Sequence, residues 1–175
     1  MKQGWIACFG VLMAVFLIAG SPGSAASEEP AADLLAHPVC RYCGMDRTKF
    51  AHARAYITYD DGTTVGTCSL HCAAIDMSLK IDKIPVTVRV ADYPTKKLID
   101  AETAHWVTGG DKMGVMTRRA KWAFASEADA RAFIAAHGGS AAEFEAAVQA
   151  AFEDMYADLQ MIREKRKKMR AQKNQ

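Results

Sequence analysis

Four cysteines, a histidine and a few methionines are the side chains of this sequence best suited to soft-metal chemistry. Cys40 and Cys43 stand in "HPVCRYCGMD", and Cys68 and Cys72 in "CSLHCA". The arrangement is C-x2-C, a gap of 24 residues, then C-x3-C, with His71 inside the second pair. Three chemistries fit the spacing. Disulfides suit an exported chain, and four cysteines allow three pairings. A four-cysteine zinc site draws two short cysteine pairs from separated turns. A redox C-x-x-C needs a strand-to-helix setting, whereas Cys40 and Cys43 precede a hairpin pattern. Met45 adds a fourth option. It lies two residues beyond Cys43, across Gly44, so a bend at the glycine lets thiolate and thioether reach one ion. Thiolate with thioether is a soft donor set that selects Cu(I) over zinc. Met113 and Met116 recur in the loop "GGDKMGVMTRR", and Met116 is the further candidate ligand.

These residues need elements to position them. "RAYITYDDGTTVGT" alternates apolar and polar residues on both sides of Asp61–Gly62, the pattern of a β-hairpin. "SLHCAAIDMSLK" reads as a helix with Ser69 as its cap. Cys68 then ends a strand, and Cys72 falls in the first helical turn. There the unpaired amides and the helix dipole should lower a thiol's pKa. The i, i+4 spacing should make a Cys68–Cys72 disulfide strained. "VTVRVADY" is a further strand. "AHWVTGG", "KWAFA" and "SEADARAFIAAHGG" repeat the strand–strand–helix order, with a capping box from Ser126 to Asp129 and Gly138 as the stop. From Ala141 the pattern is one long amphipathic helix, its apolar stripe formed by Phe144, Val148, Phe152, Met155, Leu159 and Ile162. The fold class expected is α+β: two small strand–strand–helix modules followed by that C-terminal helix.

The amino terminus bears on compartment. Lys2 precedes an apolar run from Trp5 to Ala19, and Ser24 and Ala26 follow at the spacing signal peptidase prefers. The run is shorter than the roughly 20 residues of a spanning helix. Residues 1–26 are therefore read as a secretory signal, an N-terminal membrane anchor being the alternative. The fifth cysteine, Cys8, would leave with it. Residues 27–36 form a polar lead-in, 37–140 the metal-binding domain, and 141–175 the helix with its basic tail. Removing the signal leaves 149 residues of net charge +1, enough for one domain with a core. Seven cations and one anion between Arg163 and Lys173 put +6 on the tail and −5 on the remainder. Such a tail is a solvated helix end whose cations suit the C-terminal dipole, or a contact for an anionic membrane surface or an acidic partner; export argues against nucleic acid as its target. The tail lies far from the cysteines in sequence, so truncation after Ile162 should spare metal binding.

Taken together, "CRYCGMD", the hairpin, "CSLHCA", "GGDKMGVM" and "KWAFASEADARAFIAAHGG" resemble the NosL family, copper(I)-binding accessory proteins of nitrous oxide reductase maturation. The resemblance runs from about His37 to Gly139. It implies a non-enzymatic, periplasmic metallochaperone that delivers Cu(I) to a copper enzyme or its assembly machinery. It implies Cys43 and Met45 as ligands, with Met113 or Met116 as a further one. Cys40, Cys68, Cys72 and His71 form an outer set that completes the site, binds a second ion, or holds the fold as a disulfide or zinc cluster. The sequence departs from the family in lacking a lipoprotein cysteine at the cleavage site. The C-x3-C pair is also similar to the metal-sensing TRASH motif.

Overall fold

The alternation read between residues 54 and 67 builds the first sheet. In the computed structural model, which describes Met1 and residues 31–174, β1 (Ala55–Tyr59) and β2 (Thr64–Thr67) pair antiparallel around Gly62, whose φ is +79°. The signal-peptide reading lies outside the described residues. Along β1 the side chains of Ala55, Ile57 and Tyr59 point inward and are fully buried. Each large apolar side chain so placed contributes about 1.5–3 kcal/mol. Helix α2 (Leu70–Leu79) follows β2 directly, and β3 (Pro85–Ala91) returns beside β1. β4 (Leu98–Asp100) completes a four-stranded antiparallel sheet of order β2-β1-β3-β4.

The second module repeats the plan. β5 (His105–Thr108) and β6 (Lys121–Phe124) pair antiparallel, and α3 (Glu127–His137) packs against them. The capping box forms: the Ser126 hydroxyl accepts a hydrogen bond from the Asp129 amide and donates one to its carboxylate. β7 (Ser140–Ala142) adds to the free edge of β5, giving the order β6-β5-β7. The modules meet where the Tyr93 amide donates to the Ala123 carbonyl and Asp92 accepts from the Ala125 amide.

Helix α4 (Phe144–Lys173) then crosses α2 and β5, with Phe144 stacked on Trp106. No helix among the described residues is long and apolar enough to cross a membrane.

Four expectations are corrected. β4 and β7 were missed because three residues are too few to show an alternation. The long helix starts at Phe144 rather than Ala141, because Ser140–Ala142 is spent on pairing with β5. The described part of the polar lead-in is structured: Ala32–Ala36 is a short helix, α1, with Asp33 and Leu34 buried. Finally, α4 docks on only part of its apolar stripe: Phe144 is buried and Val148 packs against the core. Its buried face is Phe144, Ala147, Ala150, Ala151 and Asp158, while Phe152 is 45% exposed. Small alanines let the helix approach closely, and polar partners beneath it hold Asp158.

Candidate metal centre

The first cysteine pair sits on a knuckle. Val39 bridges Asp46, the Cys40 amide donates to the Met45 carbonyl (2.8 Å), and the Gly44 amide donates to the Cys40 carbonyl (3.0 Å). Gly44 closes the turn at φ +74°, a region where a Cβ is disfavoured. Cys40 and Cys43 therefore face the same side. The knuckle is tied to the second pair through β2, where the Arg41 amide donates to the Gly66 carbonyl (3.3 Å). A Cβ on Gly66 would come within 2.6 Å of the Arg47 guanidinium and 2.5 Å of the His37 Cβ, so only glycine permits this approach. One residue beyond β2 stands Cys68, and Cys72 follows in the first turn of α2.

The four sulfurs all lie within 4.8 Å of one another. Cys43 and Cys68 are 3.5 Å apart and Cys68 and Cys72 3.8 Å, all as free thiols. For four thiolates about 2.3 Å from a tetrahedral ion, the sulfur–sulfur edge would be about 3.8 Å. The Cys43–Cys68 and Cys68–Cys72 separations are close to that edge. Cys40, Cys68 and Cys72 are buried, and only Cys43 is half-exposed, so the centre has one accessible sulfur.

Electrostatics divide the four. The Cys40 thiol is pushed far below its ordinary range, because Cys43, then Cys68 and Cys72, hydrogen-bond to its sulfur. Cys43 is opposed by Cys40 but assisted by Cys68 and Cys72, and also falls. Cys68 is pushed up by its bonds to Cys40 and Cys43. Cys72 is pushed up furthest, by its bonds to Cys40, Cys43 and Cys68 and by burial. The expectation that the helix terminus lowers Cys72 is overturned. Donating to neighbouring thiolates inside a dry core outweighs the dipole.

The remaining sequence candidates separate. Met45 and Met116 are partly buried and pack against the apolar cluster that contains Cys40, Cys68 and Cys72. Met116 sits at φ +64°, a conformation that costs a residue with a side chain on the order of 1 kcal/mol and persists where surrounding structure holds it. Met113 is 77% exposed. His71 is buried but outside the group of four sulfurs, its Nδ1 lying 3.3 Å from Asp158 of α4. Burial lowers its pKa despite Asp158, which favours the neutral ring.

Helix α4 reaches the centre as well. The Arg118 amide donates to Asp158 (2.9 Å), and Asp154 takes Arg119 (2.8 Å) and the buried Lys121 (2.5 Å). Further along, the Arg166 guanidinium donates to the Cys43 carbonyl (3.4 Å) across 123 residues of sequence. The basic tail is therefore not remote from the cysteines: one straight helix carries it back over the C-G-M turn.

A family model, NosL, matches residues 31–152, well over half of the chain. The chain belongs to the NosL family. Among solved structures, the copper chaperone NosL from Shewanella denitrificans is similar, with a TM-score of 0.48 and 22% identity. It is aligned over 61% of this chain and 87% of that one. No curated protein sequence matches.

In this NosL chain the residues that sequence reasoning missed are those that hold the knuckle. Arg47, fully buried, donates to the carbonyls of Thr67 (3.0 Å), Ala55 (3.0 Å), Asp33 (2.8 Å) and His37 (2.6 Å). It also pairs with the Asp33 carboxylate (2.8 Å), which accepts two bonds from buried Arg54 (2.8 and 3.0 Å). Burial works against the charge on Asp33, but the two guanidiniums prevail and its pKa lies below the ordinary value. On the other side, Tyr42 of the knuckle and Tyr59 of β1 both donate to Asp76 of α2. Arg47 stood beside the C-G-M motif in plain view. Nothing in the local pattern marked Asp33 as its partner.

Proposed function

We propose that this chain is a non-enzymatic, exported accessory protein that binds Cu(I) at the cysteine cluster and passes it to a periplasmic copper enzyme such as nitrous oxide reductase, or to that enzyme's assembly machinery. The observation that carries the reading is the asymmetry of the cluster: four converging thiols, with only Cys43, on the C-G-M turn, open to solvent. Soft thiolates with thioethers beside them suit Cu(I), and an accessible sulfur lets a ligand of the receiving protein attack the ion without the core opening. Cys43 is the exchanging ligand. Cys40 is the most readily ionised partner, Cys68 and Cys72 complete the set, and Met45 and Met116 supply thioethers at the edge. His71 serves to hold α4 through Asp158. Membership of the NosL family and the leader-like amino terminus support the copper and export parts of the reading.

Anaerobic titration of the reduced protein against a Cu(I) chelator tests this. About one Cu(I) per chain is expected, with affinity falling at least about tenfold, or about 1.4 kcal/mol, in Cys43→Ser. Unchanged affinity in that variant overturns the assignment. One observation favours a second reading, a structural zinc centre: four sulfurs within 4.8 Å of one another, three of them on buried cysteines, resemble a closed four-thiolate site. On that reading one zinc per chain survives purification, resists an equivalent of Cu(I), and unfolds the protein when chelated.

A further inference from the structure

We propose that the basic end of α4 is a docking surface for an acidic protein face, set at the rim of the cysteine cluster so that a docked partner meets Cys43. The proposal rests on the metal-transfer reading only for its purpose; its geometry stands alone. The part of α4 that docks on the domain ends near Asp158, and residues 163–174 are exposed on every side. At about 1.5 Å per residue, that exposed end is a rod on the order of 16 Å long. It carries seven cations and one anion, and among the described residues none of the seven forms an ion pair. The rod does not point into empty solvent, because Arg166 touches the Cys43 carbonyl.

Two features select the partner. The first is that the cations are distributed around the helix: at 100° per residue, Arg163, Lys165, Arg166, Lys168 and Arg170 share no single face. Met169 is the one strongly exposed large apolar residue of this segment. A helix that lies in a bilayer surface needs an apolar face to bury, and this one has none. A protein surface that wraps part of the rod uses such a distribution. The second is the charge elsewhere. Residues 27–162 carry −5, so an acidic face is repelled from the body of the molecule and drawn to one end only. Steering of this kind orients the encounter as well as speeding it, and salt screens it. The end to which it steers is the end where the accessible sulfur lies.

The test needs no metal, so it stands or falls separately from Cu(I) binding. Reduced full-length protein is alkylated with neutral iodoacetamide, and modification of Cys43 is followed by peptide mass mapping. Synthetic polyglutamate is the probe. At low salt it should slow Cys43 alkylation on the order of tenfold, and the protection should vanish at high salt. The variant Lys165→Gln/Lys167→Gln/Lys168→Gln/Arg170→Gln/Lys173→Gln, which keeps helix-forming residues, should lose it. Arg166→Gln should still bind polyglutamate but protect Cys43 less, since it removes the contact at the turn. Equal protection in the five-fold variant, or polyglutamate binding that leaves Cys43 equally reactive in the unaltered protein, overturns the proposal. Protection by phosphatidylglycerol vesicles without protection by polyglutamate overturns it in favour of a lipid surface.

Discussion

Asp33 and the two arginines around it show how single residues hold the cysteine knuckle in place without being part of the cluster. Three charges are buried together, and they remain charged because each guanidinium faces the same carboxylate. Removing one member of such a set costs more than the set contributes, because charge is left without an answer. Asp33→Asn, which strands Arg47 and Arg54, should destabilise the protein by about 3–5 kcal/mol at neutral pH. Urea unfolding followed by circular dichroism measures it. The pH dependence has a definite sign. The folded pKa of Asp33 lies below the ordinary 3.8, so its contribution is complete above that value and is lost as pH falls through the folded one. The difference between the two proteins should therefore be constant from pH 7 to about 5 and shrink only in stronger acid. A difference that already shrinks near pH 6 would assign the effect to another group.

At the scale of elements, α4 is held by its acids as well as by the apolar contacts of Phe144 and Val148. Asp158 is buried, accepts from the Arg118 amide and lies 3.3 Å from the His71 ring, and it stands one turn beyond Asp154, which answers Arg119 and Lys121. Asp158→Ala removes the acceptor of the Arg118 amide and the carboxylate beside the buried His71 ring, at a cost of about 1–3 kcal/mol. Because the two residues that lose a partner also position the helix over the knuckle, the variant should loosen that contact too. The expected result is a lower Tm together with faster alkylation of Cys43 by iodoacetamide. A lower Tm with unchanged Cys43 reactivity would limit Asp158 to a packing role. Truncation after Ile162 removes no buried side chain among the described residues and should shift stability by no more than about 0.5 kcal/mol.

For the molecule as a whole, an ion held by the cluster is expected to be coupled to the fold. The cluster's sulfurs come from a knuckle, a strand end and a helix start, and the same apolar cluster includes Trp122, Phe124 and Phe133 of the second module. An ion bound to the native state alone stabilises it by about 4 kcal/mol at a free concentration a thousand times the dissociation constant. Thermal melts of the reduced protein, with and without one equivalent of Cu(I) under anaerobic conditions, should differ by several degrees. Coincident melts would mean that the metal binds outside this folded cluster.

What the sequence determined by itself was local. The hairpin at Asp61–Gly62, the Ser126 capping box, the stop at Gly138 and the two cysteine pairs are each written within a few residues, where turn chemistry and periodicity act directly. The family-specific C-G-M turn was equally visible. The tertiary structure decided everything that depends on which surfaces meet. It turned α4 onto an alanine and aspartate face because the domain beneath presents Lys121, Arg119 and His71. It raised Cys72 where the helix dipole alone would lower it, because three other sulfurs and a dry core surround the thiol. It brought Arg166 to Cys43 across 123 residues, since a straight 30-residue helix spans about 45 Å and can return to a site that sequence distance makes look remote. Charge pairing and close approach are properties of neighbours in space, and a one-dimensional pattern records neighbours only along the chain.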